Sequence, residues 1–155
     1  MAVDYFLKID GIEGESAVAR HKGEIEVTGF EFAVSMGKQP GVVPGIAFLD
    51  ELRVLAPTSK ASPRLWLACA SGQHLPSAIL TCRRKAQKGH VEFLKVTLTD
   101  VVITSYDAAA DDGEPPLDDV ALRYFKIEVA YQPGDANQPP VEASWHVNKI
   151  PDFRT

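Results

Sequence analysis

The first regular pattern in the chain is Tyr5, Leu7 and Ile9 alternating with Asp4 and Lys8. Period two marks a strand with one buried face and predicts a strand over Val3–Ile9, with Phe6 placing an aromatic on the other side. Glu24–Val34 repeats the pattern with a fault: Ile25 and Val27 share one parity, Phe30, Phe32 and Val34 the other. A one-residue change of phase at Thr28-Gly29 is what a β-bulge produces, so this strand reads as a barrel corner with Gly29 at the bend. Further strands are predicted around Leu49–Leu55, over Ala78–Arg84, over His90–Tyr106 with a bend near Thr99-Asp100, over Val120–Tyr131 with a second bulge, and over Val141–Val147. Ile150–Thr155 reads as a frayed tail.

The period changes to helical once, in the stretch 62–76. Leu65, Ala68 and Cys69 share a face at three- and four-residue spacing, and Trp66 and Ala70 widen it. Ser62 reads as the N-cap, Pro63 as the first helical residue, Gly72 as the left-handed stop and Pro76 as a block to any restart. Leu65, Ala68 and Cys69 are expected to be buried, and Trp66 at least partly. A helix of two to three turns has no independent stability, so it must dock on a sheet.

Two segments break all periodicity. Between Met36 and Gly45, three glycines and two prolines interrupt any regular element, and the reading is a projecting loop. Val42, Val43 and Ile46 supply more apolar area there than a solvated loop needs, and Lys38 adds a charge. These four residues are the expected docking contact with a neighbour (an inter-subunit or inter-ring contact in the terms that the family resemblance given below implies), with Lys38 facing an acid such as Asp111 or Asp112 of that neighbour. Asp107–Asp119 carries five aspartates, one glutamate and two prolines, and reads as a solvated loop. Its acid spacing does not match a calcium-binding EF-hand.

The sum is about eight strands and one helix. The expected fold is mainly β: a small antiparallel β-barrel of two packed sheets with one short α-helix, a single domain over residues 1–155. A chain of 155 residues with 45% hydrophobic and 24% charged positions can bury such a core. The net charge of −5 argues against nucleic acid as a partner, and no run is long enough to insert in a membrane. The N-terminal segment lacks the basic start and apolar run of a cleaved signal peptide.

Candidate chemistry is sparse. Cys69 and Cys82 sit among apolar residues and read as buried free thiols. His21, His74, His90 and His146 fall in different segments, none spaced from a cysteine as a zinc pair would be, so no metal or cofactor is expected. Ser71 near His74 lacks a nucleophile elbow. Arg83, Arg84, Lys85 and Lys88 form a basic strand end, either solvated or facing an anion or a second subunit.

In order and spacing, the pieces resemble the haemolysin-coregulated (Hcp) family of type VI secretion tube proteins. The similar stretches are residues 1–16 with Gly14-Glu15-Ser16, Glu24–Val27 with Phe30 and Phe32, the helix Ser62–Gly72 with His74 and Pro76, Val91–Leu94, and Val129–Pro133 with Trp145. Phe30 and Phe32 stand where members of the family often have tryptophan. The resemblance implies a non-enzymatic barrel subunit that forms homohexameric rings. The rings stack into a tube inside a contractile sheath, capped by a spike protein, and the tube carries effector proteins in its lumen. The subunit would be cytoplasmic before firing, then secreted without a cleaved signal peptide. Because the chain ends soon after its last strand, the resemblance implies a plain tube subunit. Two alternatives remain: a monomeric small-ligand-binding barrel, and a hydrolase using Ser71 and His74.

Overall fold

The computed structural model describes residues 3–36, 47–134 and 137–147. Among the described residues, ten strands and one helix appear in the order β1 (Val3–Ile9), β2 (Ile25–Val27), β3 (Gly29–Glu31), β4 (Val34–Met36), β5 (Ala47–Leu49), β6 (Leu52–Pro57), α1 (Ser62–Ser71), β7 (His74–Lys85), β8 (His90–Ala109), β9 (Leu117–Tyr131) and β10 (Val141–His146). Eight strands form one antiparallel sheet, ordered β2-β1-β7-β8-β9-β6-β3 with β10 beside β9. A separate hairpin pairs β4 with β5.

The barrel closes where the phase changed. β2 pairs with β1 and β3 pairs with β6, so the two ends of the sheet are consecutive in sequence across Thr28. Thr28 fastens the corner with its amide (2.8 Å) and its hydroxyl (3.1 Å), both donated to the Leu55 carbonyl. The expected single strand Glu24–Val34 is therefore three short strands with three different partners. The alternation that suggested one strand is real, but each piece follows a different neighbour.

Leu7, Leu52, Leu80, Leu98, Ile103 and Leu122 fill the interior and are almost completely excluded from solvent. Burying each contributes on the order of 1.5–3 kcal/mol. Tyr5 meets Phe30 edge-on at 5.3 Å and Phe30 stacks on Phe32, so the aromatic pair packs against the core.

β8 is one strand of twenty residues, longer than the expected His90–Tyr106. Asp100 adopts φ +54°, and at this point neither Pro76 of β7 nor Phe125 of β9 pairs with it. Pro76 has no N–H to give, so the ladder yields there and β8 bends at the expected place. The second bulge falls on β8 between Ile103 and Ser105, rather than on β9. Cross-strand pairing also extends into the acidic stretch: Asp107 faces Asp119 and Ala109 faces Leu117, which leaves a connection of only 110–116.

The helix spans Ser62–Ser71 and buries Leu65 and Ala68, with Cys69 partly buried. Gly72 ends it at φ +66°, its N–H bonding the Cys69 carbonyl and the Gln73 N–H bonding that of Ala68. Two expectations fail. Trp66 is 60% exposed and Leu67 beside it 55%, because the helix packs on β8 and buries only a narrow stripe that includes Leu65 and Ala68. Ser62 is the first helical residue and Ala61 occupies the cap position. The Ser62 hydroxyl is turned instead to the buried Asp118 and accepts the Ser59 N–H at 2.9 Å. Asp118 also accepts the hydroxyls of Thr58 (2.9 Å) and Tyr106 (2.8 Å). One carboxyl group thus ties together the helix start, the β6–α1 link, β8 and β9. Burial, and next the bond to Asp118, hold the Tyr106 phenol above its ordinary 10.0.

Gly14 lies against the backbone of Glu24 and Ile25. A Cβ there would come within 2.5 Å of the Glu24 carbonyl oxygen. Gly14 N–H bonds the Gly23 carbonyl and Ser16 N–H bonds that of Glu24, so the Gly-Glu-Ser turn clamps the approach to β2.

Candidate assembly surface

β9 belongs to two pairings at once. Its first half, Leu117–Leu122, pairs with β6 and its second half, Lys126–Tyr131, pairs with β10, while β8 runs along its other side throughout. The sheet forks, and β10 leaves the barrel wall as an edge. Among the described strands β10 pairs with β9 alone. Such an edge presents unpaired backbone donors and acceptors.

The β4–β5 hairpin stands beside this fork. Between them lies an open groove of about 440 Å³, lined chiefly by Phe32, Val34, Met36, Leu49, Val129 and Trp145. Val34 is 67% exposed, Met36 57% and Trp145 51%. Large apolar side chains gathered next to an unpaired strand edge form an adhesive surface, since water solvates the apolar groups poorly and the edge offers a ready backbone template for another strand. Tyr124 anchors the floor by donating its hydroxyl to the Asp50 carbonyl at 2.9 Å, and burial raises its phenol above the ordinary value.

The expected contact residues Lys38, Val42, Val43 and Ile46 lie outside the described residues, in the segment 37–46 that links β4 to β5. Met36 and Ala47, which flank that segment, are paired at the end of the hairpin. The groove itself was not anticipated from sequence. The one signal was the alternating row Val141, Ala143, Trp145 and Val147, which puts these residues on one face of the last strand; the first three are exposed, and Val147 packs against the core.

The other candidate residues have separate partners. Ser71 donates to the Ala68 carbonyl at 3.5 Å, and the exposed His74 meets Asp100 at 2.9 Å; no bond joins Ser71 to His74. The hydrolase arrangement is thus not assembled. His21 is buried and stacked on Phe6 at 4.4 Å, with Glu24 at 3.0 Å from Nδ1 and Glu92 at 2.8 Å from Nε2. His146 meets Phe125 edge-on. Arg83 pairs with Asp4 and lies over Phe6, and Arg84 donates to the Gly134 carbonyl and lies over Phe93, so half of the basic cluster is internal to the fold. Burial pushes the Cys82 thiol up to about 11, which keeps it protonated and inert.

A filled antiparallel barrel with a forked sheet, an open strand edge and an apolar groove beside it has the features of a protein that docks on a partner rather than of one that encloses a ligand. Comparison with known proteins gives the family. Residues 6–131 match the family described as type VI secretion system effector, Hcp. The chain is 33% identical to the protein Hcp1 of Pseudomonas aeruginosa across 96% of this chain and 98% of that one. Its fold is similar to the crystal structure of Hcp1 from Salmonella typhimurium, with 30% identity, a TM-score of 0.76 and coverage of 95% of this chain and 96% of that one. It is similar also to the crystal structure of a type VI secretion system effector from Yersinia pestis, at 30% identity and a TM-score of 0.79, covering 93% and 100%. The chain belongs to the Hcp family, and it is a structural tube subunit of the type VI secretion system.

Proposed function

We propose that the chain closes into homohexameric rings that stack as the inner tube of a contractile sheath, with a spike protein at the tip and effector proteins carried in the lumen. The whole chain, residues 1–155, acts as one non-catalytic domain. It is cytoplasmic before firing and is then secreted without cleavage of a signal peptide. The observation that supports this most is the unpaired β10 edge beside the apolar groove. A cyclic ring needs two different complementary patches on each subunit, and an open edge with a flanking apolar wall supplies one of them. In the same reading, Lys38, Val42, Val43 and Ile46 serve as the inter-ring or inter-subunit contact. The ligand-binding alternative has less support, because leucine, isoleucine and valine side chains occupy the barrel interior.

The test is Met36→Asp with Trp145→Asp. Both side chains are more than half exposed, so the subunit should still fold. Light scattering should give six times the 16.9 kDa subunit for the natural chain and a single subunit for the variant. An unchanged mass in the variant, or a monomeric natural chain at high concentration, would overturn the reading.

A further inference from the structure

His21 has more acceptors around it than a neutral imidazole between two carboxylates can serve. It is 5% exposed and lies flat on Phe6, the two rings 4.4 Å apart and 3° from parallel. Its Nδ1 faces both oxygens of Glu24, at 3.1 and 3.0 Å, and its Nε2 faces Glu92 at 2.8 Å. A neutral imidazole has one N–H and one bare nitrogen, and an ionised carboxylate only accepts. With one proton among the three groups, a nitrogen lone pair would point at a carboxylate oxygen. Two hydrogen bonds need two protons: an imidazolium between two carboxylates, or a neutral ring with one carboxyl group protonated. The bonds of His21 also hold a loop in place. Among the described residues, the hydrogen bonds of 14–24 close within the segment: Gly14 N–H to the Gly23 carbonyl, Ser16 N–H to that of Glu24, His21 N–H to that of Val18. The one that leaves the segment joins His21 to Glu92, across 71 residues of sequence.

We propose that a second proton shared among His21, Glu24 and Glu92 latches the segment 14–24 onto β8, and that loss of this proton to solvent releases the segment. The device belongs to the single subunit and does not depend on the ring-and-tube reading. The charges around it do not replace the proton. Arg83 lies over the same Phe6 ring at 5.1 Å but is paired with Asp4. Arg20, Lys88 and His90 line an open cleft of about 310 Å³ with Glu92, Lys22 follows His21 in the chain, and Glu26 lies opposite Phe6 on β2. All five of these neighbours are exposed, so water and salt screen them. Once released, the three groups return to ordinary behaviour, about 6.5 for histidine and about 4.3 for glutamate. Above about pH 6.5 they then hold one proton, whereas the latched cluster holds two. The latched state binds more protons, so its population relative to the released state falls by up to about tenfold per pH unit in that range.

Hydrogen exchange read by mass spectrometry on the full chain follows the latch through the amides of 14–24. From about pH 6 to about pH 8.5, exchange in this segment, divided by the intrinsic rate at each pH, should rise about tenfold or more, while the paired amides of β7 and β8 change little. Glu92→Gln separates the shared proton from mere contact. Its amide N–H donates to the bare Nε2, His21 Nδ1–H serves Glu24, and one proton on the ring suffices. That variant should keep 14–24 protected across the whole range. Glu92→Ala, at an exposed position that leaves the core intact, should free the segment at both pH values. His90→Gln, in the neighbouring cleft, should leave the natural pH profile unchanged. Equal protection at both pH values in the natural chain, a Glu92→Gln variant with the natural profile, protection kept in Glu92→Ala, or a profile removed by His90→Gln would each overturn the proposal.

Discussion

Replacing Asp118 tests how the helix is fixed to the barrel. Asp118 is 1% exposed and accepts three hydroxyls, from Thr58, Ser62 and Tyr106. Asp118→Ala leaves all three without their acceptor. Ser62 is itself buried, and the Tyr106 hydroxyl is partly so, whereas Thr58 is exposed and can turn to water. Two stranded donors at about 1–3 kcal/mol each give roughly 2–6 kcal/mol. Relief from burying the carboxyl group offsets part of this, for a net loss of about 3 kcal/mol. For a chain of this size that lowers the melting temperature by about 6–12 °C. Asp118→Asn keeps the volume and the acceptor for Thr58 and Tyr106 and changes only the side facing Ser62, so it should cost about 1 kcal/mol. Urea denaturation and thermal melts at one fixed protein concentration measure both, since assembly makes apparent stability depend on concentration. An alanine variant within about 1 kcal/mol of the natural chain, or an asparagine variant as unstable as alanine, would refute the acceptor role.

Gly14→Ala drives a Cβ into the backbone of Glu24 and Ile25, which no rotamer change can relieve, and should cost about 1–3 kcal/mol in urea denaturation; an unchanged midpoint would show that the turn is not clamped. Cys82 gives a pH signature. Its folded value, about 11, lies above its ordinary 9.0, so above pH 9.0 the unfolded chain releases this proton first. Stability from Cys82 is therefore complete below pH 9.0 and declines by up to about 2 kcal/mol as pH rises toward 11. Urea titrations at several pH values should show a steeper decline for the natural chain than for Cys82→Ala, and parallel slopes would contradict the assignment.

Much of the fold was legible in the sequence because it is written locally. Period-two alternation marked β1, β7 and the body of β8 and β9, since a strand between a core and water must alternate. Leu65 and Ala68 marked the buried stripe of α1, and Gly72 marked its end, because only a residue tolerant of φ +66° closes a helix that way. The break at Thr28-Gly29 located the barrel corner. The order of these pieces along the chain was enough to suggest the family.

What stayed hidden depends on partners distant in sequence. Alternation says which residues share a face, not what covers that face: Val141 and Trp145 alternate like core residues and lie on an open edge. The acids after Tyr106 read as a loop because nothing local shows that Asp107 would pair with Asp119. Ser62 has the composition of a cap, yet Asp118, fifty-six residues away, takes its hydroxyl. The same limit hid the assembly surface. The groove exists because β9 divides its pairing between β6 and β10 and leaves β4–β5 beside the fork. The sequence by itself determined the elements and their faces; only the tertiary structure decided which strands close the barrel and which edge is left to a neighbour, because backbone pairing is common to every residue and carries no side-chain signature.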